Sequence, residues 1–141
     1  MKALLDTNTV VSGVLWGGSP RQILDLARAG HLRLFTSTTL LLELADVLGR
    51  SKFAARVSQH GDVQFLLDGY VALAEVLDPD HTPSVVSADP DDDHVLACAV
   101  VAAVDYIISG DRHLLDLGVY EGMPILNAAD FLAAYTKSLT P

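Results

Sequence analysis

Residues 2–8 read KALLDTN: a short apolar run ends at Asp6, with Thr7 and Asn8 directly behind it. Residues 105–111, DYIISGD, repeat the plan near the other end of the chain, closing on Ser109, Gly110 and Asp111. Apolar runs this short, bounded by turn-forming residues, read as buried strands. Two more fit the description, 32–36 (LRLFT) and 124–126 (PIL). Between them lie helical stretches. Ser19, Pro20 and Gln22 supply a cap, a proline at the first helical position and a capping-box partner, and Gly30 supplies a stop, so a helix is expected over 20–29. Further helices are expected near 39–49, 51–59, 62–77, 92–103 and 128–136. Gly13, Gly17, Gly18 and Pro20 mark the stretch after Asp6 as a loop, and 78–93, rich in Asp and Pro, as a second loop with a short strand at Val85–Val86.

Strands that alternate with helices predict an α/β fold, a mainly parallel sheet covered by helices on both faces. In such sheets ligands bind beyond the carboxyl ends of the strands. Asp6 and Asp111 each follow an apolar strand, so they are expected at the same rim.

At 141 residues, without repeats or long linkers, the chain is expected to form one domain over 1–141. No apolar run approaches the roughly 18 residues needed to span a bilayer, and the opening residues lack a signal-peptide plan, so a cytoplasmic location is expected. Cys98, the single cysteine, excludes an internal disulfide and a cysteine-rich zinc site, and its setting in VLACAV reads as a buried, inert thiol. The formal net charge of −9 counts against nucleic acid, whose nonspecific binding relies on Lys and Arg. Bound cations or a basic partner protein can reverse that local field.

Two further acids can reach the rim. Glu43 lies among leucines in TTLLLELADVL, on a helix that begins just after a strand; Asp92 and Asp93 open the helix through Val95, Leu96 and Cys98. Bland readings exist for each: a strand terminator for Asp6, a solvated helix residue for Glu43, an acidic loop with caps for Asp89, Asp91, Asp92 and Asp93, a turn for Asp111. They sit less comfortably together, because the acids fall at strand ends and helix starts. Two like charges about 4 Å apart repel by about 4 kcal/mol at an effective dielectric near 20. Raised pKa values or a divalent cation relieve such repulsion, and oxygen donors without cysteine favour Mg²⁺ or Mn²⁺.

These residues resemble the PIN-domain family, in particular the VapC-type toxins of toxin–antitoxin systems. Four stretches carry the likeness: LLDTNTVVSG at 4–13, STTLLLELADVL at 37–48, DPDDDHVLACA at 89–99 and YIISGDRHLL at 106–115. The spacer GGSPRQILDLARAG at 17–30 and the ending PILNAADFL at 124–132 also fit. The resemblance implies a three-layer sandwich with a mainly parallel sheet of about five strands. It also implies Mg²⁺-dependent hydrolysis of single-stranded RNA, leaving a 5′-phosphate and a 3′-hydroxyl. Asp6, Glu43 and Asp111 match the first, second and fourth metal-binding acids. The third is Asp92, with Asp93 a close rival in the triple Asp. Thr7, Asn8 and Ser109 match polar positions that support the metal or its water, Ser109 standing where Thr is often found. Asp6 and Asp92 are then expected to hold the ion, with Glu43 and Asp111 placing the attacking water or a second ion. Expected partners are the RNA, a cognate antitoxin protein and a second copy of the chain in a homodimer.

Other residues stay open between two readings: His94 and His113 as substrate contacts or solvated side chains, Arg112 as a phosphate-steering group or a solvated one, Trp16 as a stacking platform or packing. Two rival functions remain. A haloacid-dehalogenase-like phosphatase also starts from a strand and an Asp, but Asn8 stands where its second Asp belongs, and none of Lys2, Lys52 and Lys137 follows a later strand. A non-catalytic metal- or partner-binding module would use the same fold without turnover.

Overall fold

The computed structural model describes residues 1–82 and 90–140. The chain opens with β1 (Lys2–Leu5), α1 (Thr7–Leu15), α2 (Gly18–Arg28), β2 (Arg33–Thr36) and α3 (Thr38–Leu48). A 3₁₀ turn at Ser51–Phe53 leads to α4 (Ala54–His60), α5 (Val63–Leu73) and β3 (Ala74–Val76). After the undescribed stretch come α6 (Pro90–Ala102), β4 (Tyr106–Ile108), α7 (Arg112–Leu117), β5 (Val119–Tyr120), β6 (Met123–Leu126) and α8 (Ala128–Ser138).

The strands form one six-stranded sheet in the order β3-β2-β1-β4-β6-β5, parallel throughout except for the β5–β6 pair. The fold is therefore α/β, with helices on both faces. The two-residue period of the strands divides the core. Ala3, Leu5, Leu34 and Ile108 face a cluster with Val10, Leu15, Ile23, Leu44, Leu66 and Phe131 from α1, α2, α3, α5 and α8. Leu4, Phe35, Ile107 and Ile125 face the opposite cluster, built on α6 with Leu114 of α7. Among the described residues no helix is long and apolar enough to cross a membrane.

The structure corrects several sequence expectations. The stretch after Asp6 is a helix and not a loop. The Asp6 side chain caps α1 by accepting from the Thr9 amide at 2.8 Å. Burial of Val10, Val11 and Leu15 outweighs the poor helix propensity of Thr, Val and Gly. Gly13 is needed there for closeness: a Cβ would lie 2.8 Å from Leu24 Cδ1 and 3.1 Å from the Pro20 carbonyl oxygen of α2.

The helix expected over 62–77 stops at Leu73, because Ala74–Val76 pair with β2 as an edge strand, and the Arg33–Glu75 ion pair at 3.0 Å spans that edge. The sheet has six strands instead of about five. The added β5 meets β6 through a tight turn whose Glu121 and Gly122 have φ of +47° and +79°, the handedness a two-residue hairpin requires. The short α7 was also unforeseen. The strand expected at Val85–Val86 lies outside the described residues.

Candidate active site

In sequence order the chain steps from β1 outward to β2 and β3, then returns to the other side of β1 as β4. The crevice between β1 and β4 is thus a topological switch point, where open parallel sheets bind ligands. Leu5 lies beside Ile108 in register, and the Asp6 amide donates to the Ile108 carbonyl at 3.0 Å. Asp6 and Asp111 accordingly leave neighbouring strands at one rim.

Ser109 ties them together. Its fully buried hydroxyl donates to Asp6 Oδ2 and accepts from the Asp111 amide at 2.9 Å. Asp111 in turn caps α7, with its Oδ1 accepting from the His113 and Leu114 amides at 2.8 and 3.4 Å. Both acids are therefore held by helix starts as well as strand ends. A helix N-terminus favours a carboxylate by about 0.3–1 kcal/mol, which offsets part of the cost of placing two acids together. Asp6 is 5% exposed, and burial raises its pKa above the ordinary Asp value; hydrogen bonds from Ser109 and Thr9 oppose the rise, and the charge of Asp111 adds to it.

Two other elements bring acids to the same place. Ser37 caps α3 through the Leu40 amide at 3.2 Å, and Glu43 follows on that helix, half-buried. The first turn of α6 holds Asp91, Asp92 and Asp93, of which Asp92 and Asp93 are buried. Asp6, Thr7, Asn8, Glu43, Asp91, Asp92, Val95 and Asp111 line one small polar cleft of about 40 Å³. Ser109 lies beneath this lining. Asp93 is buried but lies outside it, whereas Asp91, weighed in the sequence only as part of an acidic loop, belongs to it. The signal for Asp91 was present in the triple Asp but could not be ordered without the rotation of the helix.

Among the described residues that line the cleft, none is Lys, Arg or His. A set of oxygen donors without sulfur or imidazole suits a hard divalent cation in chemistry. Among the described residues no group of three or more His, Cys, Asp or Glu side chains stands ready to hold a metal ion as placed. The four acids would have to draw closer to share one.

The remaining candidates lie apart from the cleft lining. His94 is 3.4 Å from the Thr82 hydroxyl, and His113 is exposed. Trp16 packs edge-on against Phe53 at 5.8 Å with the Arg56 guanidinium 5.2 Å from its ring, which favours the packing reading.

Among curated proteins, none matches the sequence. Similar solved structures include a chain of VapBC2 from Rickettsia felis, crystallised bound to a DNA fragment from their promoter. It has 16% identity and a TM-score of 0.61 over 90% of this chain and 98% of that one, a likeness of fold. The sequence profile described as PIN domain matches residues 2–113, from β1 through β4 to the start of α7, the span that carries all four acids. With a match over most of its length, this chain belongs to the PIN-domain family.

Proposed function

We propose that the chain is a metal-dependent endoribonuclease that hydrolyses phosphodiester bonds of single-stranded RNA, acting as the toxin of a toxin–antitoxin pair. One observation carries this reading. Asp6, Glu43, Asp92 and Asp111, from four separate stretches of sequence, meet around one cleft at the switch point of the sheet. Membership of a family of nucleases supports the chemistry, and the likeness to a chain of VapBC2 supports the toxin role.

Asp6, Glu43, Asp92 and Asp111 would hold Mg²⁺ or Mn²⁺, which supplies positive charge at the scissile phosphate and lowers the pKa of the attacking water. The chain's own residues set the geometry. Ser109 and the Thr9 amide hold the two oxygens of Asp6, so its carboxylate cannot swing away. Asp111 is fixed through Oδ1 by its cap. Glu43 lines the same cleft as Asp6, where with Asp111 it would place the attacking water. Thr7 and Asn8 line the cleft where the substrate enters. Water attacks phosphorus, the bond to the 3′-oxygen breaks, and a proton lost from the water ends on that leaving oxygen, so the products carry a 5′-phosphate and a 3′-hydroxyl.

The cognate antitoxin and a second copy of the chain are the proposed protein partners. Leu42 and Phe65, 68% and 64% exposed on the adjoining helices α3 and α5, support an apolar interface there. The test is cleavage of single-stranded RNA with Mg²⁺, with EDTA, and with Asp6→Asn. Cleavage that needs both the metal and Asp6 supports the reading. Hydrolysis of a small phosphate ester in place of RNA, or binding without turnover, would replace it.

A further inference from the structure

A second polar groove adjoins the acidic cleft. It has a volume of about 390 Å³ and is lined by Asn8, Thr9, Ser12 and Pro20 on one side and by Gly110, Asp111, Arg112 and Ala128 on the other. Asn8 and Asp111 line both spaces, so the groove lies beside the cleft. Its volume lies within the roughly 300–1,000 Å³ of small-ligand pockets.

Its chemistry differs from that of the cleft. Among the described residues Arg112 is the only cation lining either space, it is exposed, and it forms no ion pair there. Asn8, Thr9 and Ser12 offer amide and hydroxyl groups. Among the described residues neither space is lined by an aromatic ring on which a base could stack. A guanidinium among short polar side chains suits a phosphate and the sugar beside it.

We propose that this groove binds the nucleotide next to the scissile one by its sugar–phosphate backbone, with Arg112 contacting the phosphate and Asn8 and Ser12 facing the ribose. The inference rests on the ribonuclease reading and assigns that site a positioning residue. On a chain with a formal net charge of −9, a cation in the groove beside an acidic cleft favours an anionic strand lying along that groove.

The test compares Arg112→Gln and Arg112→Lys with the wild type on a short single-stranded oligoribonucleotide with Mg²⁺, over a salt series. Binding of the same oligonucleotide to Asp6→Asn and to Asp6→Asn/Arg112→Gln is followed by fluorescence anisotropy. Arg112→Gln should raise KM about three- to tenfold with kcat within about twofold, and should reduce the slope of log affinity against log salt by about 0.7, the share of one phosphate on a single strand. Arg112→Lys should restore most of the KM. Loss of kcat and thermal stability in both variants would make Arg112 a structural residue and overturn the proposal. RNA cut by Arg112→Gln with unchanged KM and salt slope would overturn it while leaving the ribonuclease reading intact. RNA neither bound nor cut by the wild type would overturn both.

Discussion

Replacing Asp6 by Asn should stabilise the metal-free protein while removing its activity. The Asp6 carboxylate is buried and shares its rim with Asp111, so its charge costs folding free energy that the Ser109 and Thr9 hydrogen bonds offset only in part and that a cation would offset further. Asn keeps an oxygen for the Thr9 amide and is as good a cap as Asp, whereas Ala loses the cap, at about 0.5–2 kcal/mol. With unfolding entropy of about 2.1 cal/mol/K per residue, 141 residues give about 0.3 kcal/mol/K. Asp6→Asn should therefore melt about 2–7 °C above Asp6→Ala, and above the wild type at pH 7 without metal. A folded-state pKa raised above its unfolded value means stability that is fully present below about pH 4 and lost as pH rises through the folded value. The wild type should show that loss, and Asp6→Asn should not. Mg²⁺ at about 100 times its Kd should add about 2.7 kcal/mol, near 9 °C, to the wild type and much less to Asp6→Asn. Thermal melts with EDTA and with Mg²⁺, across pH, measure all of this. An Asp6→Asn protein that melts below the wild type without metal, or gains as much from Mg²⁺, would refute the electrostatic reasoning.

Ser109→Ala should cost about 1–3 kcal/mol, because the Asp111 amide loses its acceptor, and should move the acid limb of the pH–rate profile upward, since the Ser109 hydroxyl holds the Asp6 pKa down; Ser109→Thr, which keeps the hydroxyl, should leave that limb in place. The Tyr70 hydroxyl is buried without a hydrogen-bond partner among the described residues, so Tyr70→Phe should raise stability by about 1–3 kcal/mol in chemical denaturation; an unchanged midpoint would show that the hydroxyl is satisfied. Burial pushes the Cys98 thiol up to about 12, helped by the nearby Asp78, so a thiol-specific reagent at pH 8 should leave the folded protein unmodified and react once denaturant is added; rapid labelling of the native protein would contradict that packing.

The legible parts of the sequence were those where one local pattern decides the outcome. The apolar runs before Asp6 and Ser109 located the central strands, and the rule of strand ends placed Asp6 and Asp111 on one rim. What escaped depended on distant partners. The helix over Thr7–Leu15 is poor by propensity, and its Gly13, read as a loop signal, is instead the point where two helices touch. Ala74–Val76 continue a helical pattern and become a strand only because β2 offers an open edge. In the triple Asp, adjacent residues differ by about 100° of helix rotation, and only the placement of α6 shows that Asp91 and Asp92 line the cleft while Asp93 turns from it.

Among the described residues the two borders of the sheet are short. β3 has three residues, with Glu75 tied to Arg33, and β5 has two, turned antiparallel by its hairpin. So little unpaired ladder leaves an incoming extended peptide almost no backbone on which to add itself as a further strand. Side chains on the helices then offer a protein partner more to hold than the strand edges do. A blocking segment from such a partner is better sought as an amphipathic helix than as a β-addition.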